Sequence, residues 1–309
     1  MGKLFRQVGI LVWKDVLTDL RRKENLLAMF FFATLTLLLF QFALDAVQDP
    51  RYRITPRVVE RVAALAETQP PAATQAPAAP GNTAASAREA LAPLLNRAFA
   101  SQDALLDALT PLPPSVLGTE QRVALVALAR QGAVEEAAPG LIWVAFILAG
   151  VLGLAKSFSQ EREQGSLEGL LLTPVPRGTI YLGKMLGNAL FLSVILALLV
   201  PLAGLLLGVD LRGAAGPLTL ALLGGVLGFS ALGTLLGGVT AQVAGREVLL
   251  PLLLFPLLVP LLLVEVHLTQ AILAGEPLAS QASWLRLLGA FDGIFLVVSY
   301  LVFDAVMES

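Results

Sequence analysis

The sequence contains no cysteine and a single histidine, His267. The first absence excludes disulfides, thiolate metal centres, iron–sulfur clusters, covalent haem attachment through CxxCH and any cysteine nucleophile. The second excludes a two-histidine metal or haem site within one chain. Charge is scarce as well, at 14% of residues, where a soluble domain carries about 25%. Hydrophobic residues make up 56% and mean hydropathy is +0.78. Such a chain cannot cover itself with polar surface, so it is an integral membrane protein. Its 21 basic and 23 acidic residues leave a net charge of −2, with no basic excess to attract nucleic acid. There is no G-x-x-x-x-G-K-[ST] loop for ATP, no HExxH, and no Ser–His–Asp set at one membrane depth. Asp292 stands alone inside its apolar segment, with no paired carboxylate, so no catalytic residue and no metal site is predicted.

A helix needs about 20 apolar residues to cross a bilayer, because lipid offers backbone groups no partners. Gaps between charges mark six such segments: 26–44, 137–155, 185–209, 213–245, 248–264 and 284–303. The last is interrupted by Arg286 and Asp292. An intramembrane Asp costs roughly 2.5–3.5 kcal/mol, and each Leu, Ile, Phe or Val returns roughly 0.3–0.6. About a dozen of these give on the order of 5 kcal/mol, so the segment inserts with Asp292 turned toward protein. Arg286 sits at the edge, where it can snorkel.

Basic residues set the orientation. Lys3, Arg6, Lys14, Arg21, Arg22 and Lys23 precede the first span; Lys156, Arg162, Arg177 and Lys184 lie between the second and third. Both stretches, and hence the N-terminus, are expected in the cytoplasm. The first apolar run is too long for a signal peptide and no small-residue cleavage site follows it, so it reads as an uncleaved anchor. Residues 3–22 place Phe5, Val8, Val12, Trp13, Val16 and Leu20 at helical spacing, which predicts an amphipathic helix in the interface. Ile10 and Leu11 blur its polar side. It serves as an anchor or as a contact surface for a cytoplasmic partner.

The stretch 46–136 is different material. From Asp45 to Glu136, both included, lie eight of the 21 basic residues and ten of the 23 acidic ones. Topology puts it outside the cytoplasm. Thr55-Pro56 is an N-cap followed by proline at the first helical position. Gln69 to Ser86 carries no charge and no periodicity and reads as a flexible linker. Leucines over 87–109 and a helical pattern over 119–131 complete a small helical insert. The chain thus divides into 1–45, 46–136 and 137–309.

The loop from Lys156 to Lys184 is the most informative. The second span continues as helix into Gln160, Glu161, Arg162 and Glu163, and Gly165 breaks it. Ser166 caps a second short helix, with Glu168 at its N-terminal dipole end. Leu167, Leu170 and Leu171 form its apolar side before Pro174 and Pro176. Such a helix near 160–173 lies in a groove of a soluble protein or rests on the bilayer. Elsewhere, Gly224, Gly225, Gly228, Gly233, Gly237 and Gly238 make the fourth span suited to close helix packing. Pro251, Pro256 and Pro260 predict a kinked fifth span. Lys184 and Asn188, one turn apart, read as a boundary pair. Glu265 and His267 are placed at the outer end of the fifth span. Asn188 and Gln242 are the polar side chains available to Asp292 from other spans, and these five positions are the candidate path or interhelix polar residues.

The stretch EREQGSLEGLLLTPV resembles the coupling region of ABC-2-type transporter membrane subunits. A narrower resemblance is carried by RRKENLLAMFFFATLTLLLFQFAL, LIWVAFILAGVLGLAKSF, RGTIYLGKMLGNALFL, GREVLLPLLLFPLLVPLLL and WLRLLGAFDGIFLVVSYLVFD, in that order. These look like the haem exporter protein B (CcmB) family of cytochrome c maturation, whose familiar members have a much shorter connection between the first two spans. The resemblance implies an all-α integral membrane fold of ABC-2 permease type: six transmembrane helices, an N-terminal interfacial helix, a cytoplasmic coupling helix and an extracytoplasmic helical insert.

It further implies a multi-pass protein of the cytoplasmic (inner) membrane that is not itself an enzyme. A cytoplasmic ATP-binding subunit supplies hydrolysis, and Gln160 to Leu171 couple to it. The other implied partners are a haem-handling membrane protein, a membrane-anchored haem chaperone, membrane lipid and a second copy of the chain. No cofactor is expected in this chain; ATP belongs to the partner, and haem is a candidate substrate. The alternatives are an ABC-2 exporter of a drug or lipid and a membrane scaffold that couples an ATPase to external partners without transport. A lone Asp292 disfavours an intramembrane enzyme.

Overall fold

The computed structural model describes residues 8–14, 23–45, 51–68, 84–95, 97–114, 116–131, 133–163, 176–211, 213–241, 243 and 245–306. Six helices are long and apolar enough to span a bilayer. They lie in α1 (Lys23–Asp45), α6 (Ala133–Glu163), α7 (Arg177–Leu207), α8 (Ala215–Ala241), α9 (Arg246–Ala274) and the stretch ending in α10 (Ala282–Val306). Gly208 and Gly275 end α7 and α9 in the left-handed conformation, at φ 70° and 87°, where a residue with a Cβ is strained.

Four spans, α6, α7, α9 and α10, pack on α8, and α1 packs on α6 and α7. Within the spanning windows 67% of α6 and of α8 is buried, against 22% of α1 and 11% of α10, so the first two are central and the last two peripheral. The core between them is built on Trp143, Phe146 and Phe229, whose rings meet at 5.5 Å in successive pairs. Near the other end of the bundle Tyr181, Met185, Leu235 and Phe303 form a smaller cluster. There the Tyr181 hydroxyl donates to the Ala231 carbonyl at 3.0 Å.

The interfacial helix is described over residues 8–14. Val8 is buried, as the spacing predicts, whereas Trp13 is 67% exposed. The contact with the bundle comes from Leu11, whose Cβ lies 2.7 Å from where a Cβ on Gly183 would stand. An exposed tryptophan beside a helix seated on the bundle suits the headgroup zone.

The insert has its own core. Helix α2 (Pro56–Thr68) packs on α3 (Ala84–Leu91) and α5 (Thr119–Ala129), and α4 (Gln102–Leu109) packs on α5. Ile54, Val62, Leu91, Leu105, Leu109 and Leu125 are fully buried among them. The Thr55 cap is present: its Oγ1 accepts from the Val58 N–H at 3.4 Å. The insert is not purely helical, however. Strands β1 (Arg51–Arg53), β2 (Ala98–Phe99) and β3 (Arg130–Gln131) form an antiparallel sheet in the order β2-β1-β3. Strands of two or three residues leave no periodicity to read. Of the stretch 69–86 read as a linker, residues 69–83 lie outside the described residues; the last three are corrected, because Ala84 to Ser86 form the first turn of α3 with Ala84 buried.

Candidate functional site

Polar groups inside a span are costly unless they meet one another or a functional partner, so the site is built from them. Along α9, flanked by buried Leu250, Val264, Thr269 and Ala271, the residues Leu254, Leu258, Leu261, Glu265, Leu268 and Ile272 are buried. Their spacing of four and three residues is that of one helix face. Glu265 occupies one of these core positions and is 0% exposed. The expectation that Glu265 marks the outer end of the fifth span is therefore corrected. Counting charges ends a span at every carboxylate, but α9 continues to Ala274.

The expectation that Asp292 is without a carboxylate partner is corrected too. Leu261 and Asp292 both close on Gly228: a Cβ there would collide with Asp292 Oδ1 and would stand 3.1 Å from Leu261 Cδ1. One turn away, a Cβ on Gly225 would strike the Trp143 ring and lie 2.9 Å from Glu265 Cδ. Glycine at these two positions lets α8 approach α6, α9 and α10 closely enough to bring both acids to one junction. Glu265 and Asp292 are within electrostatic reach of each other. Neither Glu265 oxygen nor Asp292 Oδ1 meets a hydrogen-bond donor among the described residues.

Trp143 and Thr269 complete this junction and were missed in the sequence. Trp143 Nε1 donates to Thr269 Oγ1 at 2.9 Å, and both residues are buried. Thr269 lies one turn past Glu265, so helical spacing from that carboxylate would have found it. No local pattern marks Trp143.

The remaining candidates are placed elsewhere. Asn188 Nδ2 donates to Thr234 Oγ1 at 2.9 Å, tying α7 to α8. Arg286 turns back on its own helix, donating to the Ala282 carbonyl and to Ser283 Oγ at 3.2 and 3.4 Å, as its position six residues from Asp292 requires. His267 stacks on Trp284 with ring centroids 4.2 Å apart, and its Nε2 lies 3.1 Å from Gln281 Oε1. It joins the end of α9 to α10. Gln160, Glu161 and Glu163 lie in the last turns of α6, which runs through Glu163 as predicted. Gly165, Ser166, Leu167, Glu168, Leu170, Leu171 and Gln242 lie outside the described residues.

Six helices long and apolar enough to span a bilayer, a glycine-rich one among them meeting an acidic pair carried by α9 and α10, define a multi-pass helical membrane protein. The family model described as CcmB protein matches residues 123–309, and the chain belongs to that family. That match takes in five of the six spans and leaves α1 and most of the insert outside it. Heme exporter protein B of Pseudomonas aeruginosa is 38% identical over 152 residues, which cover 49% of this chain and 68% of that protein. The protein of the same name from Haemophilus influenzae is 34% identical over 153 residues, 50% of this chain and 67% of its own length. That of Paracoccus denitrificans is 38% identical over 133 residues, 43% and 60%.

Proposed function

We propose that the chain is the membrane-embedded permease subunit of an ABC-2-type haem-export system for cytochrome c maturation. ATP hydrolysis in a separate cytoplasmic subunit is coupled through it to haem delivery or to release of a haem-loaded chaperone. The observation that carries this reading is the family match over residues 123–309, together with the relatives named heme exporter protein B. Helix α6 supports the coupling role. Its 31 residues span about 46 Å at ~1.5 Å per residue, and a hydrocarbon core takes up about 30 Å. The charged end through Glu163 therefore projects into water, leading directly to Gly165–Leu171.

In this reading the N-terminus and the 156–184 loop face the cytoplasm, the protein sits in the inner membrane, and two copies form the complex. A haem-handling membrane protein and a membrane-anchored haem chaperone act with it. The test is purification from native membrane followed by identification of the bound subunits. Leu170→Asp and Leu171→Asp are each expected to abolish retention of the ATP-binding subunit while leaving membrane insertion intact, because a charge buried in a protein groove without a partner costs several kcal/mol. Retention of the ATPase by both variants would overturn the coupling assignment.

A further inference from the structure

Where α7 and α9 end, the insert closes over them and leaves a cleft of about 300 Å³. Arg53 from β1 and Arg57 and Arg61 from α2 line it, with Thr55, Gln270 and Asp210. Val58, Leu128, Val209 and Leu273 supply apolar wall.

The charges in this cleft do not balance. Arg57 Nη1 donates to the Asp210 carbonyl at 2.6 Å and Nη2 to the Ile272 carbonyl at 3.3 Å. These are neutral acceptors at the ends of two spans, and they use two of the five guanidinium donors. Arg61 holds the Asp210 carboxylate in an ion pair. Asp210 is the one acidic residue among the described lining residues, so three cations meet one anion.

The arrangement is also costly by itself. Arg57 and Arg61 are four residues apart on one helix, where like charges repel. Burial pulls the Arg57 guanidinium below its usual basicity; Asp210 opposes this and the charge of Arg61 adds to it. A second anion would relieve all of these terms.

We propose that this cleft binds the anionic head, a phosphate or carboxylate, of an amphiphile. The arginines and Thr55 take the head. The apolar wall, at the level where two membrane spans end, takes the adjoining hydrocarbon. Arginine suits this use because its planar fork matches phosphate and carboxylate oxygens.

The test uses the full-length protein purified from lipid nanodiscs of phosphatidylcholine with or without phosphatidylglycerol, read by native mass spectrometry. Wild type is expected to retain phosphatidylglycerol in preference to phosphatidylcholine. Arg53→Gln is expected to lower that retention roughly tenfold, the loss of one charge-assisted hydrogen bond, without changing phosphatidylcholine retention or the melting curve. Asp210→Asn, which removes the competing carboxylate, is expected to raise it. Arg57 is left intact because it clamps the insert to the spans. Displacement of phosphatidylglycerol by inorganic phosphate assigns the site to a soluble anion; retention against phosphate assigns it to the lipid. Equal retention of the two lipids by wild type overturns the proposal, as does unchanged phosphatidylglycerol retention in both variants.

Discussion

At the scale of single residues, the acidic junction depends on two glycines more than on the acids themselves. A side chain at position 225 has nowhere to go between the Trp143 ring and the Glu265 carboxyl. Gly225→Val is expected to destabilise the protein by about 1–3 kcal/mol, the usual cost of overpacking a filled interior, measurable as a lower melting temperature in detergent. Trp143→Phe keeps most of the ring but frees Thr269 Oγ1, and about 1 kcal/mol is expected from that lost bond. Asp292→Asn preserves shape and hydrogen-bonding capacity while removing ionisation. If function depends on ionisation of Asp292, this variant assembles normally and fails in cytochrome c maturation. Normal maturation in that variant, with failed assembly in Asp292→Leu, would reduce Asp292 to a link between helices. The sequence exposed Asp292 because a carboxylate in an apolar run is conspicuous. It hid the partnership with Glu265 because the two are 27 residues apart on different helices. Only packing through Gly225 and Gly228 brings them together.

At the scale of elements, charges read along the chain located all six spans, since the lipid's demand for about 20 apolar residues is nearly independent of tertiary context. The ends were less legible. Three prolines, Pro251, Pro256 and Pro260, lie inside α9, each removing one backbone donor, yet the helix runs on through them and through Glu265. Its buried face repeats every three to four residues without interruption, and that face outweighs the charge as a mark of where the span ends. In the insert, Thr55-Pro56 was legible because capping is local chemistry. Thr55→Ala is expected to cost about 1 kcal/mol, seen as earlier unfolding of the insert with the membrane helices unchanged. Strands β1 to β3 were illegible because their partners are distant in sequence. Tyr52 of β1 pairs with Phe99 of β2 and with Arg130 of β3.

At the scale of the whole molecule, the insert and the membrane bundle each have a separate core, joined where Arg57 reaches the carbonyls of Asp210 and Ile272. If residues 46–136 lie outside the cytoplasm as proposed, protease added from that side is expected to cut between Pro70 and Asn82 and leave the spans intact. Cleavage only from the cytoplasmic side would invert the topology. The continuity of α6 has a mechanical corollary. Strand β3 runs into α6 with one intervening residue, and β3 pairs with β1, the strand that leads to Arg53, Thr55 and Arg57. The helix thus runs unbroken from Ala133, next to the sheet of the insert, to Glu163, with its middle buried in the bundle. Its one proline, Pro139, removes a backbone donor from the first turns of the helix and lies in the wall of the arginine cleft. Because α6 itself forms part of that wall, any tilt of the helix within the bundle would change the width of the cleft.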